Sequence, residues 1–157
     1  MVLGVTEISA IVAAAGVLVG VVYYILDIRN QAKIRQTDLV MKLYSEEGSK
    51  EFLEATHIFK YQDFGKMEDI VSKPSLWVSY NMHCMFFEKL GILLHRKLVN
   101  IDLVDDLFSI DIKLVWDKVK PLVEENRERG LTAYYEFFEY LHDEMEKREQ
   151  KLQQSKS

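Results

Sequence analysis

From Ile8 to Leu26 the chain reads ISAIVAAAGVLVGVVYYIL, 19 residues without a charge, bounded by Glu7 and Asp27. As an α-helix such a run spans roughly 28 Å, close to the hydrocarbon thickness of a bilayer. Its one polar side chain before the tyrosines is Ser9, near one end. Tyr23 and Tyr24 stand near the other, where aromatic rings favour the membrane interface. A secretory signal needs a basic leader, and Met1 to Glu7 holds no Lys or Arg; its apolar core is also usually shorter. A buried helix of a soluble core rarely runs this far without a charge. The expectation is a transmembrane helix at about residues 8–26.

The flanks predict its orientation. All 20 Lys and Arg lie at or after position 29, and Arg29, Lys33 and Arg35 follow the span directly. The positive-inside rule then puts the N-terminus outside and the rest in the cytoplasm, as a single-pass protein of the cell membrane. Arg29, Lys33 and Arg35 are expected to meet anionic headgroups. Within the span, Gly16 and Gly20 form a GxxxG, a spacing that lets two membrane helices pack closely; it predicts a homo-oligomer contact.

Beyond the span the pattern is helical throughout, with no strand pair and no Gly-rich phosphate loop. The predicted fold is all-α: the transmembrane helix continues to about Tyr44, into a cytoplasmic bundle of four to five helices. Three regions follow: 1–27 with the span, 28–150 as the bundle, and 151–157 as a polar tail. Ser49 can cap a helix ending near Asp63 to Gly65. MEDIV is a short acidic turn before Pro74. The stretch from Pro74 to Leu98 is apolar on nearly every side, which predicts the central helix. Gly91 in its middle costs about 1 kcal/mol relative to Ala and implies close approach by a neighbour. Asn100 or Asp102 begins the next region, where Pro121 predicts a kink or a restart. Gly130 ends it, and a last helix is expected from about Thr132 to Lys151.

This order of segments, with KLVNIDLVDDLF, IKLVWDKVKPLVEENRERG and YYEFFEYLHDEME, resembles an uncharacterised family of small, single-span prokaryotic membrane proteins. The segment from Trp116 to Pro121 and that from Phe137 to Leu141 carry most of the likeness. The family is known only as a domain of unknown function. The resemblance implies a single-span helical protein and transfers no functional residue.

Two Glu-x-x-His spacings, Glu54 with His57 and Glu139 with His142, are the strongest chemical lead. Two such pairs plus carboxylates from two other helices, such as Glu88 and Asp105 or Asp106, make the di-iron site of ferritin-like bundles. Direction argues against it. At 100° per residue Glu54 and His57 fall away from the apolar face of Phe52, Ala55 and Phe59, and Glu139 falls away from that of Leu141 and Met145. His142 stands at the boundary. Cys84, beside His83 on the central helix, reads as buried packing, since adjacent residues point about 100° apart. His95 beside Arg96 and Lys97 reads as surface charge suited to a helix C-terminus. In the last helix, Lys147, Arg148 and Lys151 are expected to pair with Glu144 and Glu146.

The net charge of −5 and the lack of a basic patch interleaved with aromatics exclude a nucleic-acid partner. No cofactor is expected and no catalytic constellation is evident. The function this points to is a membrane-anchored interaction or scaffold module, with the bilayer and an unidentified protein as partners. The alternative is a metal-binding, di-iron-like enzyme using the two Glu-x-x-His pairs. A sensor whose Trp77, Phe86, Phe87, Trp116 and Phe137 line a pocket is a third, with aromatic core as the simpler role for those residues.

Overall fold

An uninterrupted run of Ala, Val, Leu and Ile has no side chain that competes for backbone hydrogen bonds, so it winds into one helix. The computed structural model describes residues 4–154. Expectations placed on residues 1–3 and 155–157, and on the side chains of Glu7 and Ile8, lie outside it. The first helix, α1, is Val5–Glu47, roughly 64 Å long at 1.5 Å per residue. The packing divides the chain between Asp38 and Leu39.

In the first unit, every side chain from Ser9 to Gln31 is exposed. An 18-residue apolar window there has none of its residues buried, and α1 is long and apolar enough to cross a membrane. Several of its polar side chains are settled locally. Ser9 Oγ donates to Val5 O at 2.9 Å, and Gln31 donates to Asp27 at 2.8 Å. A Cβ added at Gly16 or Gly20 would meet nothing within 4 Å.

Among the described residues the second unit holds the last turns of α1 and five further helices: α2 (Lys50–Tyr61), α3 (Met67–Val71), α4 (Pro74–His95), α5 (Ile101–Glu128) and α6 (Glu136–Gln154). No strand occurs among the described residues. Their starts follow local chemistry. Ser49 Oγ accepts from Phe52 N at 3.2 Å, capping α2. Pro74 occupies the first turn of α4, where its missing N–H costs nothing. Asn100 accepts from Asp102 N at 2.7 Å to start α5. Gly130, at φ 105°, closes α5 with Leu131 N donating back to Asn126 O at 3.1 Å, as a Schellman turn requires.

α4 is the centre: it packs against α2, α3, α5 and α6. Tyr80, Phe87, Trp116, Phe108 and Phe138 are among the largest fully buried side chains. Each such apolar side chain contributes roughly 1.5–3 kcal/mol relative to an exposed one. Gly91 explains how α6 comes so close. A Cβ there would lie 2.0 Å from Phe137 O, so only a glycine admits the α6 backbone.

Three expectations are corrected. Of the kink or restart expected at Pro121, the restart is overturned, since α5 runs through it. Pro121 and Asp117, whose carbonyl loses its N–H partner, both face solvent, so water can satisfy the freed group while Val119, Leu122 and Val123 hold the helix to the core. The last helix begins at Glu136, not Thr132, because Tyr135 sits at φ 52° and interrupts helical geometry. Tyr134 therefore belongs to the turn before it. Arg148 pairs not with its own helix but with Asp102 (2.6 Å) and Asp105 (2.7 Å) of α5, which ties α6 to the start of α5. Lys147 does pair with Glu144, at 2.8 Å.

Candidate functional site

α2 places Phe52, Ala55 and Phe59 on one face, at the helical spacing of three and four, and all three are buried. α5 does the same with Ile112, Val115 and Val119. Between these two helices, with α4 as the floor and the end of α1 at one side, lies a cleft of about 340 Å³. Its walls are mainly apolar, from Phe52, Phe59, Phe87, Leu114 and Val115. Its polar groups are Thr56 on the α2 wall, His83 on the floor, and the charged residues Glu47, Lys60, Asp111 and Lys118.

His83 is 2% exposed and fully engaged. Its Nδ1 lies 2.8 Å from Ser79 O. A carbonyl only accepts, so Nδ1 carries the proton. Burial first, and Lys118 as a lesser cause, lower the His83 pKa from its ordinary value, so the ring is neutral at pH 7. Its bare Nε2 then accepts from the Thr56 hydroxyl at 3.1 Å. That hydroxyl also lies 2.9 Å from Phe52 O, and its one proton serves one acceptor at a time. The His83 ring packs on Phe59, with centroids 4.3 Å apart.

Lys118 bridges the cleft at one end. Its ammonium donates to Phe59 O and, at 2.8 Å, to Gln62 O, two of the carbonyls left open where α2 ends. It also sits 5.0 Å and 4.8 Å from the ring centres of Phe59 and Phe64, over their negative faces. Burial lowers its pKa, with Asp63 opposing. Lys118 is thus a structural tie, its charge spent on helix carbonyls and rings.

The other end holds two carboxylates, Glu47 from the end of α1 and Asp111 from α5. Burial, with a contribution from the Asp111 charge, pushes Glu47 up to about 7. Asp111 is exposed, and partial desolvation by its neighbours raises its pKa as well. Among the described residues neither has an ion-pair partner, whereas the adjacent Glu46 binds Lys89 at 2.8 Å. No sequence signal marked this pair: the two lie far apart in the chain, each at the last turn or outer face of an amphipathic helix.

The residues singled out in sequence are distributed as follows. Glu54 is exposed and paired with Lys50 at 3.6 Å, and His57 is exposed beside the Tyr61 ring. Glu139 accepts from Arg127 at 2.6 Å. His142 is buried, stacked near Trp116, with Asp143 at 3.4 Å and Glu146 at 3.8 Å. Among the described residues one cluster has metal-ligand spacing, His142 with Asp143 and Glu146; it includes neither Glu54, His57 nor Glu139. One ligand atom of each of the three lies within 4.8 Å of the other two, with the His142 ring buried and both carboxylates exposed. Glu88 instead accepts the N–H of Phe138 at 2.7 Å, and Asp105 is committed to Arg148. Glu88 thereby caps the start of α6 from a neighbouring helix, and its pKa is raised, burial being the largest cause.

Cys84 is wholly buried, and burial raises its thiol pKa. A buried thiol so held is not a nucleophile at neutral pH. Of the five aromatics, Phe86, Phe87 and Trp116 belong to the core, Trp77 is exposed and Phe137 half-buried; Phe87 alone reaches the cleft. Arg29, Lys33 and Arg35 are exposed on α1.

Comparison with curated proteins and with solved structures finds no match in either. A protein-family comparison matches residues 10–145, which take in α1 from its second turn, the whole of α2 to α5, and the buried half of α6. The chain therefore belongs to the family described as a domain of unknown function (DUF4760).

Proposed function

We propose that this is a single-span membrane protein whose helical unit lies on the cytoplasmic side and serves as a binding module. The observation that carries the reading is the apolar window of α1, whose side chains have no protein to pack against. Left in water, a continuous apolar surface of that size is strongly unfavourable; in hydrocarbon it is at home, and the helix satisfies its own backbone. Arg29, Lys33 and Arg35 support the orientation, since cationic residues flanking a span stay on the cytoplasmic side. On this reading Gly16 and Gly20 give α1 a flat strip on which a second copy can pack in the bilayer. The folded unit would add a binding surface held near the membrane, for a protein partner or a small molecule.

The test is fractionation of cells expressing the full chain. The polypeptide is expected in the membrane pellet, resistant to alkaline carbonate and released by detergent. External protease should leave residues 39–157 intact in whole cells and digest them after lysis. Recovery in the aqueous fraction, or a mature N-terminus beginning beyond about residue 30, would overturn the anchor. Digestion from outside would reverse the orientation.

A further inference from the structure

We propose that the cleft between α2 and α5 binds an organic amine, with the ammonium held by Glu47 and Asp111 and an apolar body lying on Phe52, Phe59 and Leu114. The site is independent of whether α1 spans a membrane, since every residue of it lies in the second unit.

Three observations combine. The cleft, about 340 Å³, is of the size that takes a small molecule, and its walls are mostly apolar. Two carboxylates, Glu47 and Asp111, line the same cleft, and the Asp111 charge acts on Glu47. The cations that could neutralise them are used elsewhere: Lys118 on the carbonyls of Phe59 and Gln62, and Lys89 on Glu46. Lys60, also at the rim, lies 5.9 Å from the Tyr61 ring centre. Among the described residues no cation is paired with either carboxylate of the cleft. A primary ammonium supplies a positive charge and three N–H donors, and aromatic walls favour a cation and its hydrocarbon alike. An anion would be repelled by the same pair. A hard divalent ion needs six or more oxygen ligands, and the pair offers two carboxylates among apolar walls.

Proton linkage follows. The groups facing the ammonium site are Glu47 from α1, Asp111 and Lys118 from α5, His83 from α4 and Lys60 from α2. Glu47, pushed up to about 7, holds its proton on much of the free protein at neutral pH. An arriving ammonium favours the ionised form, so binding expels a proton and tightens as pH rises from 6 to 8. Burial lowers the His83 pKa from its ordinary value, which favours its neutral form in the upper part of that range, and an alkylamine stays charged.

The probe is phenethylamine, titrated by calorimetry into the full chain in detergent micelles, with 2-phenylethanol as the uncharged counterpart. The amine should bind at pH 8 and the alcohol at least about tenfold more weakly, the loss of one charge-assisted contact. Glu47→Gln and Asp111→Asn should each weaken the amine by a similar factor, and Glu54→Gln on the outer face of α2 should not. In wild type the affinity should fall several-fold from pH 8 to pH 6, and the heat at pH 7 should depend on the buffer's ionisation enthalpy. Circular dichroism establishes that each variant is folded; if one is not, the amine–alcohol comparison and the buffer dependence decide. Equal binding of amine and alcohol would overturn the proposal, as would affinity unchanged in both carboxylate variants, no amine binding at millimolar concentration, or stoichiometric calcium binding that needs Glu47.

Discussion

Replacing Gly91 with alanine sets two effects of opposite sign against each other in the middle of α4. In an isolated helix the change stabilises by about 1 kcal/mol. Here the new Cβ would stand 2.0 Å from Phe137 O and 2.6 Å from Phe137 C. Ordinary contact begins near 3.4 Å, so α6 must retreat by more than 1 Å. The obstacle is backbone, which cannot rotate aside as a side chain can. Retreat loosens what α6 brings with it: the Phe87–Phe138 stack at 5.0 Å, the Trp116–Phe138 edge contact at 5.0 Å, and the Phe138 N–H donated to Glu88 at 2.7 Å. Overpacking costs about 1–3 kcal/mol, and a weakened helix cap adds about 1 kcal/mol. After subtracting the helix-propensity gain, a net loss of about 2 kcal/mol remains. For a unit of this size that corresponds to a melting temperature lower by roughly 10 °C. Thermal unfolding of the full chain in micelles, followed at 222 nm with the near-ultraviolet signal of its aromatic side chains alongside, measures it. Gly48→Ala is the control, because its nearest neighbour, Tyr44 O, would lie at an ordinary 3.6 Å. A Gly91→Ala protein that melts at or above the wild-type temperature would refute the reasoning, because propensity would then outweigh packing.

Two further outcomes are expected. Glu88→Ala removes the cap of α6 and should cost about 1 kcal/mol in urea unfolding, while Glu88→Gln, which keeps an acceptor for Phe138 N, should lose distinctly less. Glu47 has a folded pKa raised above its unfolded value, so its contribution is fully present below pH 4.5 and is lost as pH rises through about 7. Glu47→Gln, which mimics the protonated form, should therefore leave stability at pH 4.5 unchanged and raise it at pH 8 by about 1 kcal/mol, a figure already reduced for the solvent reaching a half-exposed carboxylate. Denaturant midpoints of the two proteins across that range provide the check.

The features legible in sequence are those whose cause is local. Ser49 and Asn100 cap helices because a short polar side chain can reach the N–H two or three residues on. Gly91 announced a close neighbour because a mid-helix glycine is otherwise unfavourable. The outward direction of Glu54 and His57 came from the helical angle alone. What was hidden depends on partners far away in the chain. Arg148 had acids on its own helix and found Asp102 and Asp105 of α5 instead. Pro121 carried a local signal for a break, overridden by the buried neighbours on either side of it. Glu47 and Asp111 meet only because α1 ends beside the middle of α5, and no spacing rule links two such positions. The identity of the helix facing Gly91 was hidden for the same reason.

The pairing of α4 with α6 also has a consequence for how the chain is made. Gly91 leaves the ribosome 46 residues before Phe137 (137 − 91). At about 5–20 residues per second the groove that receives α6 stays bare for roughly 2–9 s, while the whole of α5 is still being synthesised. Leu90, Leu94 and Phe87, all destined for the interior, face solvent or a chaperone through that interval. A ribosome pausing within α5 would lengthen it, and aggregation during biosynthesis should respond to codon changes there more than to changes after Gln154.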